Sequence, residues 1–160
     1  MANPFPFVAG NVLTAAEMNG IGEWTSYTPV LTATVTNPTL GTAATATGSY
    51  ARIQNLIIAN FEFFFGTSGF SAGSGDYRVS LPVTASAVSL FYGASIGQTS
   101  FYDSSTNIPY YCDAWLGSTT QAFILFQPTL NGVINTLSNV NPVVPANSDG
   151  LTGLLIYRAA

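Results

Sequence analysis

The run Leu56–Phe65 constrains the fold more than any other feature of this chain. Apolar side chains occupy every second position from Ile57 to Phe65, and the polar Asn60 and Glu62 fall between them. Successive side chains of a β-strand point to opposite faces, so this alternation predicts a strand with one face in the core. A helix would scatter the same apolar residues around its surface.

The rest of the chain after Trp24 repeats this signal in shorter pieces. Thr, Val, Ser, Gly, Tyr and Phe dominate, and these residues favour pleated strands and turns. Further strands are predicted at Val30–Thr36, Tyr77–Leu81, Ala87–Ile96, Tyr110–Trp115, Ala122–Phe126 and Leu151–Arg158. Leu151–Arg158 is apolar on both faces, so it needs a second partner layer or a partner subunit. Short strands separated by Gly and Pro predict an all-β domain, a sandwich or a barrel, over residues 24–160.

Charge is scarce in this chain, and its scarcity excludes several classes of function. Charged residues make up 6% of the sequence, against about 25% in a typical soluble domain. The net charge is −4, and the cations are Arg52, Arg78 and Arg158, which are too scattered to form a basic stripe for nucleic acid. No apolar run approaches the roughly 18–20 residues that span a bilayer, so we predict no membrane insertion. Such an apolar, weakly charged chain is expected to live in an assembly.

The sequence offers almost no catalytic chemistry. It contains no His and no Lys, which excludes His-based triads, His-ligated metals and Schiff-base mechanisms. The single Cys112 is predicted to be a buried structural thiol, with an interchain bridge as the alternative. Paired carboxylates would still permit glycoside hydrolysis, but the spacing of the Asp and Glu residues pairs no two of them. We therefore predict no enzymatic activity, no cofactor and no metal site.

Two loops remain as candidate contact sites. Asp103–Asn107 is rich in oxygen atoms that could contact calcium, but it lacks the EF-hand pattern, so a surface turn is the favoured interpretation. Gly66–Gly75 is a Gly/Ser-rich segment between strands and is predicted to be a mobile turn. The rings of Trp24, Trp115 and the eight Tyr residues could stack on sugars, although aromatic residues in strands more often form a core or a subunit interface. A glycan site in these loops stays open as an alternative.

The first two dozen residues differ from the rest, because they predict a short helix. In a capping box, the Thr14 hydroxyl accepts a hydrogen bond from the amide of Glu17, whose carboxylate reaches back to the amide of Thr14. Leu13 and Met18 are spaced for the accompanying hydrophobic staple, and Gly20 is placed to end the helix. A helix of one or two turns is marginal in water, so it needs a docking surface.

An extended apolar arm precedes this helix. Pro4 and Pro6 hold Phe5 and Phe7 in an extended conformation. We predict that residues 1–23 form an attachment arm, although the arm could instead fold back on its own domain. The residues predicted to make or shape the attachment are Phe5, Phe7, Leu13, Thr14, Glu17 and Met18.

The segment Phe7–Asn19 resembles an opening that recurs in minor structural proteins of tailed bacteriophages. In those proteins a short helix of the pattern Leu-Thr-Ala-Ala-Glu-X-Asn precedes a β-domain. The resemblance extends as an ordered pattern over nearly the whole chain and is looser between residues 85 and 147. Its further segments are Trp24–Pro29, Asn37–Gly41, Gly48–Ile53, Tyr77–Val83, Ser148–Leu151 and Ile156–Ala160.

This resemblance implies a non-enzymatic virion protein with a jelly-roll-like β-sandwich, of the tail-fibre, minor-tail, head-fibre or decoration type. It also implies a homotrimer. The chain lacks the long shaft of a reaching fibre. We therefore expect a trimeric β-knob in the virion, anchored through its arm to a capsid, connector or tail protein. The alternative is a tail module that binds a host-cell glycan receptor.

Overall fold

The computed structural model describes residues 10, 12, 14, 15, 18, 20–87, 94–126, 135–140 and 143–160. Ten β-strands lie within these residues, and most of them come from the alternating segments of the sequence. Their bounds are β1 Trp24–Tyr27, β2 Leu31–Ala33, β3 Thr45–Ile53, β4 Leu56–Phe64, β5 Tyr77–Ser80, β6 Ser95–Asp103, β7 Ile108–Leu116, β8 Gln121–Phe126, β9 Asn135–Thr136 and β10 Gly150–Arg158.

All ten strands belong to one antiparallel sheet that curls into a half-barrel. Along the sheet the strand order is β1-β3-β4-β10-β6-β7-β8-β5-β2, and β9 pairs with β8. β1 and β2 stand at opposite ends of this path, although only residues 28–30 separate them in the chain. That connection spans at most about 14 Å, so the two edges of the sheet must approach each other. The short connection explains the curl.

The predicted all-β class is confirmed, but the jelly-roll-like β-sandwich is not. The described strands follow one continuous hydrogen-bonded path, whereas a sandwich has two separate packed sheets. The predicted strand Leu56–Phe65 is found as β4. The prediction Val30–Thr36 shortens to β2, and part of the prediction Ala87–Ile96 lies outside the described residues.

The core fills the inner side of the curl. Inward-facing residues of β4 are buried as the alternation predicts, and Phe65 continues the pattern by stacking on Phe70 with ring centroids 4.6 Å apart. β10 lies between β4 and β6 and is the central strand of this half of the sheet. The fully buried large side chains include Ile57, Phe63, Phe65, Tyr77, Val79, Phe101, Ile124, Leu137, Leu151 and Leu155.

Gly153, in the middle of β10, lets two side chains pack across its inner face. A Cβ built there would lie 2.5 Å from the Phe61 ring and 2.6 Å from the Thr99 methyl group. The missing side chain therefore creates the space into which the Phe61 ring packs. This packing fixes the backbone beneath the outer surface described below.

Candidate functional site

The predicted attachment residues fall mostly outside the described part of the chain. Phe5, Phe7, Leu13 and Glu17 are not among the described residues. The Met18 amide donates a hydrogen bond to the Thr14 carbonyl at 3.0 Å, which is the bond of one α-helical turn. The Met18 side chain is exposed, as an attachment residue would be. The complete helix and its role remain predictions.

The two loops predicted as candidate contact sites both bond to the segment 146–149 at one end of the sheet. Asp149 is fully buried, and its carboxylate accepts hydrogen bonds from the amide and hydroxyl of Ser104 at 2.9 and 3.0 Å. It also accepts one from the Ala146 amide at 2.8 Å. The side chain of Asn147 accepts a hydrogen bond from the Phe70 amide at 3.0 Å. These groups are therefore used to hold the loops together.

The second carboxylate of this region belongs to Asp103, and it accepts hydrogen bonds from residues of its own turn. It accepts hydrogen bonds from the Ser105 hydroxyl at 2.7 Å, the Ser105 amide at 2.9 Å and the Thr106 hydroxyl at 2.8 Å. The Ser105 hydroxyl is the main reason that the pKa of Asp103 lies below its usual value. The oxygen-rich segment is therefore a self-bonded turn, in agreement with the favoured prediction.

The Gly66–Gly75 segment is held more firmly than a mobile turn would be. It runs antiparallel to residues 36–42, with bridges that join Thr36 to Ser74, Thr39 to Ser71 and Thr42 to Ser68. The Thr39 amide donates to the Ser71 carbonyl at 2.9 Å, and the Ser71 amide donates back at 3.0 Å. The sequence missed this pairing because its residues are separated by the whole β3–β4 hairpin.

Two rows of polar side chains cross the outer face of the sheet, and together we call them the polar rows. Strand register places each row across β3, β4, β10, β6 and β7. The first row is Thr47, Glu62, Thr152, Ser100 and Tyr111. The second row is Ser49, Asn60, Leu154, Gln98 and Asp113. Side chains in one row stand about 4.8 Å apart from strand to strand.

Nine of the ten residues in the polar rows line a groove of about 660 Å³, and Asp113 is the exception. Tyr111 stands at one end of the groove with 73% of its surface exposed. Near the other end, the Asn60 side-chain oxygen accepts hydrogen bonds from the Ser49 hydroxyl at 2.9 Å and the Ser49 amide at 3.0 Å. These bonds engage the oxygen of Asn60 and leave its NH₂ group to donate elsewhere.

An apolar surface adjoins the polar rows on the same face, and we call it the apolar patch. It consists of Trp24, Ile53, Leu56, Ile58, Leu154 and Ile156, which register brings together from β1, β3, β4 and β10. Five of these side chains are between 40% and 52% exposed, and Ile58 is half-buried. The β10 strand is thus apolar on both faces, as its sequence indicates. Its inner face packs in the core, and among the described residues no other layer covers its outer face.

The acidic residues of the polar rows do not form the pair that glycoside hydrolysis needs. Glu62 lies on β4 and Asp113 on β7, three strands away, which corresponds to about 14 Å. Catalytic carboxylates lie about 5–9.5 Å apart. Within the described residues no three His, Cys, Asp or Glu side chains gather as metal ligands. In the same part of the chain no helix is long and apolar enough to cross a membrane.

The thiol of Cys112 is buried, as the sequence indicated. It lies on the inner face of β7, and burial raises its pKa to about 11. A buried, protonated thiol is a poor nucleophile and a poor metal ligand. Cys112 is therefore a core residue.

Comparison with known proteins assigns no family to this fold and surface. No family model matches the chain, and neither a curated protein nor a solved structure is significantly similar to it.

Proposed function

We propose that the chain is a non-enzymatic structural protein of a bacteriophage virion, whose arm anchors an oligomeric β-domain to the particle. The observation that carries the proposal is the apolar patch. Large contiguous apolar surfaces are unusual on a monomeric protein and mark interaction sites. The low charge of the whole chain supports the same conclusion, because repeated contacts between identical subunits avoid the cost of burying charge.

Burial of the apolar patch alone provides too little free energy to hold a stable oligomer together. Full burial of a large apolar side chain contributes about 1.5–3 kcal/mol, so a half-exposed one contributes about 1 kcal/mol. The summed burial free energy of six such residues is close to the lower end of the free-energy cost of association, which is about 4–15 kcal/mol. A stable oligomer therefore needs contacts beyond the patch. We propose that neighbouring subunits also touch the flanking strands, and that three subunits assemble.

The second part of the proposal is that the arm, residues 1–23, binds another protein of the particle. Phe5, Phe7, Leu13 and Met18 would bury apolar surface against a capsid, connector or tail protein. Thr14 and Glu17 would hold the helix in the shape that docks. The virion location, the homotrimer and the finer description of the domain as a jelly-roll-like sandwich rest on the resemblance of the sequence to phage structural proteins.

Replacing Ile156 with glutamate is expected to break the oligomer while the domain stays folded. Ile156 is a half-exposed member of the apolar patch, so the change places a charge in the subunit contact and little strain in the monomer. Light scattering of purified protein should show a multiple of the 16.8 kDa chain for the original sequence and a single chain for Ile156→Glu.

Val35→Glu provides the matched control, because Val35 is apolar and 78% exposed but lies outside the apolar patch. This variant should keep the oligomeric mass. A monomeric original protein, or an Ile156→Glu variant of unchanged mass, would refute the role of the patch.

A further inference from the structure

We propose that the groove lined by the polar rows binds an uncharged oligosaccharide. Eight of the ten side chains in the polar rows are uncharged, and of the two carboxylates, Glu62 and Asp113, only Glu62 lines the groove. Hydroxyl and amide groups both donate and accept hydrogen bonds, as the hydroxyl groups of a sugar do. The rows contain no Arg that would attract a phosphate or an acidic sugar, and the two carboxylates repel such ligands.

Tyr111 gives the groove an aromatic platform. Its ring is the most exposed aromatic surface among the described residues, whereas most of the other described rings pack in or against the core. An aromatic side chain combines a large apolar face with a polar tip, which suits a ligand whose ring presents C–H groups on one side and hydroxyl groups at its edge. A pyranose ring has this character.

The shape of the groove also favours a chain-like ligand. The first polar row crosses five strands and extends about 19 Å, with one side chain about every 4.8 Å. An oligosaccharide lying across the strands from Tyr111 towards Thr47 can therefore meet a new side chain at each step. Glu62 and Asn60, near the far end, supply a strong acceptor and a donor.

A protein partner fits the polar rows less well than it fits the apolar patch. The buried centre of a protein–protein interface is apolar and depleted of charged residues. Leu154 is the only aliphatic side chain in the two polar rows, and it lies where they adjoin the apolar patch. The loops Gly66–Gly75 and Asp103–Asn107 are also weaker candidates for sugar binding, because many of their polar groups bond to one another or to neighbouring chain.

The test is binding of the full-length protein to an immobilised array of neutral and acidic oligosaccharides. The original protein should bind neutral members, and added salt should leave the binding unchanged because no ion pair is formed. Tyr111→Ala should weaken this binding about tenfold or more through loss of the platform. Glu62→Gln should weaken it about fivefold, because a neutral acceptor forms weaker hydrogen bonds than a carboxylate.

Tyr102→Ala is the matched control. Tyr102 is an exposed tyrosine on the same face, but it lies outside the groove lining. Its replacement should change binding by less than about twofold, and the melting temperature of each variant shows that it is folded. Equal losses from Tyr102→Ala and Tyr111→Ala would overturn the placement of the site.

Three other outcomes would also overturn the proposal. The first is that the original protein binds no member of the array, the second is that it binds acidic members alone, and the third is that Tyr111→Ala binds as well as the original protein. A change in oligomeric mass on Tyr111→Ala would instead identify the groove as a contact between copies of this chain. The proposal does not depend on the virion role. If the original protein binds no member of the array but is incorporated into particles, this inference alone is contradicted. If it binds neutral sugars but is not incorporated, the proposed function alone is contradicted.

Discussion

Gly97→Ala is expected to destabilise the domain by about 3 kcal/mol. A Cβ at Gly97 would lie 1.9 Å from the carbonyl oxygen of Leu154. This obstacle is the backbone of the central strand β10, so no side chain can rotate away to relieve the contact. The pairing of β6 with β10 must shift instead. Chemical denaturation measures the loss, and the melting temperature should fall by roughly 6–12 °C.

Gly150→Ala is the matched control for this prediction. Gly150 lies in β10 of the same sheet, and a Cβ there would meet only the Phe63 carbonyl oxygen at an ordinary 3.4 Å. The change should leave stability within about 1 kcal/mol of the original value, or raise it by restricting the unfolded chain. Equal stability of the Gly97→Ala and Gly150→Ala variants would contradict the close packing of β6 on β10.

Asp149→Ala is expected to lower the free energy of unfolding by about 3–4 kcal/mol. The substitution removes the acceptor for the amide and hydroxyl of Ser104 and for the Ala146 amide. These donors belong to the crowded junction between loops, where lost hydrogen bonds are not easily replaced by water. Denaturation measures the loss, and faster exchange of the Ser104 and Ala146 amides should accompany it.

Asp76→Ala is the control for the loss of a carboxylate. Asp76 is half-buried near the same sheet, and within the described part of the chain no hydrogen bond joins its carboxylate to another loop. Its replacement should therefore cost less than about 1 kcal/mol. If Asp149→Ala lost as little stability as Asp76→Ala, the buried carboxylate would not be what holds the Asp103–Asn107 loop to the segment 146–149.

The strands with strict alternation were predictable because the signal is local. In β4 the residues Ile57, Phe61 and Phe63 are buried and Asn60 and Glu62 exposed, as a period of two requires. The prediction of a sandwich went further than this signal allows. Whether strands form one curled sheet or two packed sheets depends on which strands become neighbours. The short link between β1 and β2 brings the two edges of the sheet together only after the whole sheet has formed.

The polar rows could not be predicted for the same reason. Thr152 becomes a neighbour of both Glu62 and Ser100 because β10, the last strand in the chain, inserts between β4 and β6. The alternation of each strand shows which residues share a face, but register between distant segments decides which lie side by side. The apolar outer face of β10 was visible in the sequence, whereas its union with Trp24 and Leu56 was not.

Particle incorporation of a chain lacking residues 1–20 tests the central claim most directly. The described strands begin at Trp24, so the truncated chain should keep its β-sheet spectrum and its melting temperature. Particles assembled with the full-length or the truncated chain are purified, and the amount of each chain is measured by quantitative mass spectrometry. The account predicts at least a tenfold loss of the truncated chain from the particles. Incorporation of the truncated chain at the level of the full-length protein would contradict it.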